Sequence, residues 1–136
     1  SVEQPMSSRL RDMPIALPAE YRPLIEAALV YAGGTHTFED VVQMVERGEA
    51  QFWHGPASIV VTEIDRQPEQ AILLFFLAAG NRAELLAMQD GILAWGFTQG
   101  CTRARLVGRK GWVRSFLRDS GWVDTEYVIM ERDING

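Results

Sequence analysis

Cysteine occurs once in this 136-residue chain, at Cys101, so no intrachain disulfide can form and the fold must rest on its core. Histidine is scarce as well: His36 and His54 leave too few soft ligands for a zinc site, and no metal is expected. No apolar run approaches a membrane span, and the polar opening SVEQPMSSRLRD lacks the apolar stretch of a secretory signal. The expectation is a soluble chain in the cytoplasm, without a membrane partner. Positive charge is in deficit, with 13 Lys and Arg against 18 Asp and Glu, and the net charge of -5 argues against general phosphate-backbone binding. What is plentiful is apolar content: 47% hydrophobic residues suit one compact domain with a substantial core.

Residues 1–17 carry Pro and Ser clusters without a sustained period and read as an arm laid over the domain or onto a partner. Residues 18–136 read as a single domain. Leu24, Ala27, Ala28 and Tyr31 recur at helical spacing, which predicts a helix over Pro23 to Ala32 stopped by Gly33 and Gly34. Thr37 precedes FEDVVQMVERG with Asp40 three residues on, a capping arrangement that predicts a second helix with Phe38, Val41, Val42 and Val45 inward and Gly48 at its end. The period then changes to that of strands: AQFWHG, ASIVVTEI and QAILLFFLAAG predict an antiparallel meander. The third run is apolar on both faces and is expected to be central and covered on both sides. In NRAELLAMQDGILAWGFTQG, Leu85, Met88, Ile92 and Trp95, broadened by Leu86, Leu93 and Phe97, predict a helix ending at Gly100. A strand TRARLVG, a short helix KGWVRSFLRDSG and a last strand WVDTEYVIMERDI complete an α+β layout with a mixed sheet, in which the strands on either side of the long helix run parallel.

Two local features invite a functional reading. Arg103, Arg105, Arg109, Lys110, Arg114 and Arg118 follow one another with no acid until Asp119, and Arg109, Arg114 and Arg118 form a basic edge that is either a solvated face or an anion site. Trp53, Trp95, Trp112 and Trp122 fall where the apolar period already turns inward, so core packing is the expectation for them.

Two helices, a meander, a crossover and a final helix-strand pair resemble the GNAT acetyltransferase fold, over residues 23–132. The runs LAAG, GFTQGC and GRKGWVRSFLRDSGW are similar to small GNAT-like proteins of tailed bacteriophages. The resemblance implies acetyl-CoA as cofactor, with Phe76, Leu77 and Ala78 meeting its pantetheine and Gly80, Asn81, Arg82 and Ala83 its pyrophosphate. Enzymes of the fold carry a Gly-rich loop there, because glycines let the backbone approach phosphates at a helix start. This chain has GNRAEL instead, and Glu84 in the first helical turn opposes an anion.

Transfer of an acyl group to an amine requires a base to take the amine's proton and an acid to restore the thiolate. Glu63 and His54 are the available bases, and Tyr127 and Ser115 the available acids. Cys101 is an outside candidate for a nucleophile. Each has a structural alternative: Glu63 a solvated strand residue, His54 a local hydrogen bond beside a Gly-Pro turn, Tyr127 packing on a strand, Cys101 a small buried residue. Two functions stay open: acetyl transfer from acetyl-CoA to an amine, or a non-catalytic scaffold that docks other phage proteins through the arm and the basic edge. The second places the chain in the host cytoplasm or in a virion.

Overall fold

A computed structural model describes residues 13–108 and 120–135. The expected short helix and the basic edge of Arg109, Arg114 and Arg118 lie outside the described residues. The described part of the arm bridges to β-structure at Ile15, whose N–H donates to the Phe52 carbonyl at 3.1 Å, and Leu17 packs against the core. A 3₁₀ turn over Ala19–Tyr21 then leads into helix α1, Arg22–Tyr31, with Pro23 in its first turn, where a missing N–H costs nothing. Its buried face is Ile25, Ala28 and Leu29, one position away from the stripe expected around Leu24 and Ala27. The bulkier aliphatics at i and i+4 decide the rotation, and Tyr31 is left 66% exposed.

Helix α2, Phe38–Glu46, opens with a complete capping box: the Asp40 N–H donates to Thr37 Oγ1 at 3.1 Å and the Thr37 N–H donates to Asp40 Oδ2 at 2.8 Å. Two orphan donors of the helix start are thereby satisfied, and those bonds hold the Asp40 carboxyl below its ordinary value. Phe38 and Val41 enter the core.

Strands β1 (Gln51–His54), β2 (Ile59–Arg66) and β3 (Ala71–Ala79) form the expected antiparallel meander. Helix α3 (Arg82–Thr98) returns the chain to β4 (Cys101–Leu106), which pairs parallel to β3, giving the order β1-β2-β3-β4. Alternation along β2 splits the core between the two faces of the sheet. Ile59 and Val61 join Ile25, Leu29, Phe38, Val41, Phe52 and Leu77 under α1 and α2. Val60 joins Trp53, Leu73, Ile92 and Cys101 under α3. Each large aliphatic or aromatic side chain so buried contributes about 1.5–3 kcal/mol. On the α3 side the core holds a polar chain: Trp53 Nε1–H donates to Thr62 Oγ1 at 3.0 Å, and Thr62 Oγ1–H donates to Gln51 Oε1 at 2.7 Å.

Helix α3 approaches the sheet through Gly96, where an added Cβ would stand 2.9 Å from Leu73 Cδ2. That contact places Gln89, Ile92 and Gly96 innermost and turns Phe97 out, 78% exposed, against its expected place in the apolar stripe.

The last strand expected from WVDTEYVIMERDI does not form: the described residues 122–135 contain no strand. Local bonds compete with pairing here, because Asp124 Oδ1 accepts from the Glu126 N–H and Thr125 Oγ1 accepts from the Tyr127 N–H. Glu126 adopts a left-handed φ of 66°, which breaks the alternation a strand needs. Trp122 is still anchored, its Nε1–H donating to Gln89 Oε1 at 2.6 Å and its ring meeting Phe75 edge-on.

Candidate functional site

The site follows from two interruptions of the ladder around β3. On the β4 side, pairing runs from Ala71↔Cys101 to Phe75↔Leu106 and stops, while β3 continues to Ala79. On the β2 side, Thr62 pairs with Phe75 and Val61 with Leu77, so Phe76 is an extra residue, a β-bulge. A bulged residue has no partner in the adjacent strand. At Phe76 the backbone is therefore released on both sides.

The gap opens into a cleft of about 700 Å³. Phe76, Leu77 and Ala78 form one wall, Ala28 and Ala32 at the end of α1 another, and Leu106 and Val107 a third. Ile129 and Glu131 of the C-terminal segment also line it, and Glu63, Arg105 and Glu131 bring charge to a mainly apolar surface. Burial pushes the half-buried Glu63 carboxyl above its ordinary value, and the positive potential of His36 opposes that rise. The His36 ring meets Phe76 edge-on, with centroids 4.9 Å apart, and His36 Nδ1 lies 2.7 Å from Thr35 Oγ1.

The expected pantetheine residues, Phe76, Leu77 and Ala78, thus all line the cleft, and so does Glu63. Glu63 shares a face with Ile59 and Val61, so the strand period that suggested a solvated residue instead points it toward α1. Other candidates fall elsewhere. Tyr127 is 89% exposed and does not line the cleft. His54 Nδ1 is 3.0 Å from the Tyr21 hydroxyl, at the edge strand. Cys101 is buried at the start of β4, its thiol pushed up by burial against the lowering effect of Arg66. Ser115 lies outside the described residues. His36 was not singled out from the sequence; its place between the Gly33-Gly34 stop and the Thr37 cap ties it to two fixed helix ends, the one signal available. Among the described residues no group of His, Cys, Asp and Glu is placed to hold a metal ion, and no helix is long and apolar enough to cross a membrane.

The head of α3 is built differently from the cleft. Gly80 has φ 126°, and a Cβ there would fall within 2.5 Å of the Ala57 carbonyl oxygen and Ser58 Cα. Asn81 caps the helix, its Oδ1 accepting from the Glu84 N–H at 3.1 Å, while its own N–H donates to Ser58 Oγ at 2.8 Å. Glu84 Oε1 in turn accepts from the Ala57 N–H at 2.9 Å and from the Ser58 hydroxyl at 2.8 Å. The released backbone and apolar walls fit the acyl-pantetheine half of a thioester cofactor. The head of α3, holding a carboxylate of its own, does not fit the diphosphate half.

No family model matches this chain, and no curated protein does. Solved structures do. A mixed sheet with an antiparallel meander, a parallel crossover and helices on both faces is the GNAT-type acetyltransferase fold, and this chain has it. It is similar to the TTHA1254 protein of Thermus thermophilus, with a TM-score of 0.62 and 15% identity over 88% of this chain and 95% of that one. It is also similar to an acetyltransferase of Trypanosoma brucei, with a TM-score of 0.57 and 11% identity over 82% of this chain and 94% of that one. At such identities the likeness establishes the fold.

Proposed function

We propose that the cleft beside Phe76 binds an acyl thioester and that the protein is an N-acyltransferase, with acetyl-CoA the donor that the fold implies. The observation that carries the reading is the double release of the β3 backbone at Phe76 inside an apolar cleft. When bound, the thioester supplies an activated acyl group: an N–C bond to the amine forms as the C–S bond breaks, and the departing thiolate takes a proton from solvent. The Phe76 N–H donates to the carbonyl oxygen, where negative charge develops, from a wall of the cleft that is mainly apolar. Glu63 accepts the proton that leaves nitrogen. Burial makes Glu63 hold a proton more tightly than an exposed carboxylate does, and His36 limits that rise. Leu77 and Ala78 hold the arm of the donor in line with these groups.

The test is a calorimetric titration with acetyl thioesters, followed by thiol release across a panel of amines for the wild type and Glu63→Gln. The reading predicts binding, and a thiol-release rate that rises with pH and collapses in Glu63→Gln. Absence of any thioester binding refutes it.

A second reading, in which the fold is a scaffold for a phage structural or assembly component, is favoured by one observation. The C-terminal segment leaves Val123, Tyr127, Val128, Met130 and Ile134 at least 78% exposed, five large apolar side chains gathered on one short stretch. Chemical cross-linking from cysteines placed at Val128 or Ile134 in infected cells tests it, and an uncross-linked monomer refutes it.

A further inference from the structure

The clasp at the head of α3 bears on which donor the cleft takes. A helix start that follows the carboxyl end of a strand is where a diphosphate rests, because unpaired N–H groups and the helix dipole converge there. In this chain two of those N–H groups are consumed internally, that of Asn81 by Ser58 Oγ and that of Glu84 by Asn81 Oδ1. The Glu84 carboxylate is fixed beside them by the Ala57 N–H and the Ser58 hydroxyl, and it has a fitted place. A Cβ on Gly55 would stand 3.0 Å from Glu84 Oε1, so this Gly-Pro turn leaves room for the carboxylate. A first-turn acid both neutralises the dipole and repels an incoming anion. The cleft itself, in contrast, is walled mainly by apolar side chains, Phe76, Leu77, Ala78, Leu106 and Val107 among them.

We propose that Glu84 is a specificity-determining residue: its carboxylate takes the place of a bound diphosphate, so the cleft recognises its donor through the neutral acyl-pantetheine arm and gains nothing from a nucleotide. The donor class is an acyl-pantetheine thioester for which an adenosine diphosphate is dispensable. This rests on the proposed thioester site and narrows it. Glu84 touches no reacting atom and governs only which carrier of the acyl group is held.

The experiment compares acetyl-pantetheine and acetyl-CoA by calorimetry on the wild type, Glu84→Gln and Glu84→Ala. Glu84→Gln removes the charge while its amide oxygen keeps the two acceptor contacts, and thermal melts check that each variant is folded. The wild type should bind the two ligands within about threefold of one another, because the anion adds no favourable contact. Both variants should bind acetyl-CoA roughly tenfold more tightly than the wild type, as expected when a like charge leaves a helix start, with acetyl-pantetheine unchanged. Acetyl-CoA bound more than about threefold more tightly than acetyl-pantetheine by the wild type, or no gain in acetyl-CoA affinity in either variant, overturns the role of Glu84 while leaving the thioester site standing. Failure of both ligands to bind any of the three proteins overturns the thioester site and this inference together.

Discussion

Replacing Gly80 by alanine tests the geometry on which the site depends. Gly80 joins β3 to α3 with φ 126°, a conformation essentially closed to residues bearing a Cβ. The new methyl would also stand 2.4 Å from Ser58 Oγ, 2.5 Å from the Ala57 carbonyl oxygen and 2.5 Å from Ser58 Cα. Two of those three atoms are backbone, so no rotamer change relieves the contact. Backbone strain of about 1–3 kcal/mol and an overpacking cost of about 1–3 kcal/mol combine to about 4 kcal/mol. For a domain of this size the melting midpoint should fall by roughly 12 °C. Gly34→Ala is the control, since Gly34 has φ 65° with nothing within 4 Å of an added Cβ, and only the backbone cost of about 1 kcal/mol applies. Urea denaturation of both variants separates the two contributions. Equal losses would refute the packing of the β3–α3 junction onto the Ala57–Ser58 turn.

Three further outcomes follow from the same structure. Burial raises the Glu63 carboxyl above 4.5, so the folded chain holds that proton more tightly than the unfolded one. The associated stability is complete below the ordinary value and is lost as pH rises through the elevated one. Glu63→Gln should therefore raise the melting midpoint near pH 7 and have an effect that shrinks toward zero at about pH 4; an effect independent of pH contradicts this. Thr62→Val strands the buried Trp53 N–H and Gln51 carbonyl and should cost about 2 kcal/mol in urea denaturation, whereas Thr62→Ser should cost under half of that. Cys101, 6% exposed with its thiol pushed up by burial, should react with a thiol reagent at least ~100-fold more slowly in the native state than in urea, and rapid native labelling would show that β4 is open at its start.

Much of the fold was legible because local signals and tertiary demands agree. Thr37 and Asp40 mark the start of α2 by chemistry that needs no partner beyond the helix itself. The unbroken apolar run of β3 requires cover on both faces, and α1 and α3 supply it. The rotation of α1 was offset because Ile25 and Leu29 outweigh the smaller alanines, a matter of packed volume that spacing alone does not resolve. The C-terminal segment carries the composition of a strand, yet Asp124, Thr125 and the left-handed Glu126 satisfy and bend the backbone locally. At the site, Phe76 to Ala78 were legible as the central strand's apolar end. The bulge was not, because it depends on the register between β2 and β3, and nothing in LLFFLAA marks which residue is extra. The clasp of Glu84 on Ala57 and Ser58 joins residues 26 and 27 positions apart, and only its charge at the helix start was visible beforehand.

The central claim is that the backbone released at Phe76 receives the carbonyl of an acyl thioester. Backbone amide NMR during a titration with acetyl-pantetheine tests it most directly. The Phe76 amide proton is expected to move downfield as it gains a hydrogen bond, with Leu77 and Ala78 shifting alongside it and the amides at the head of α3 unmoved. An unchanged Phe76 resonance at saturating ligand, or shifts centred on Gly80 to Ala83 instead, would contradict it.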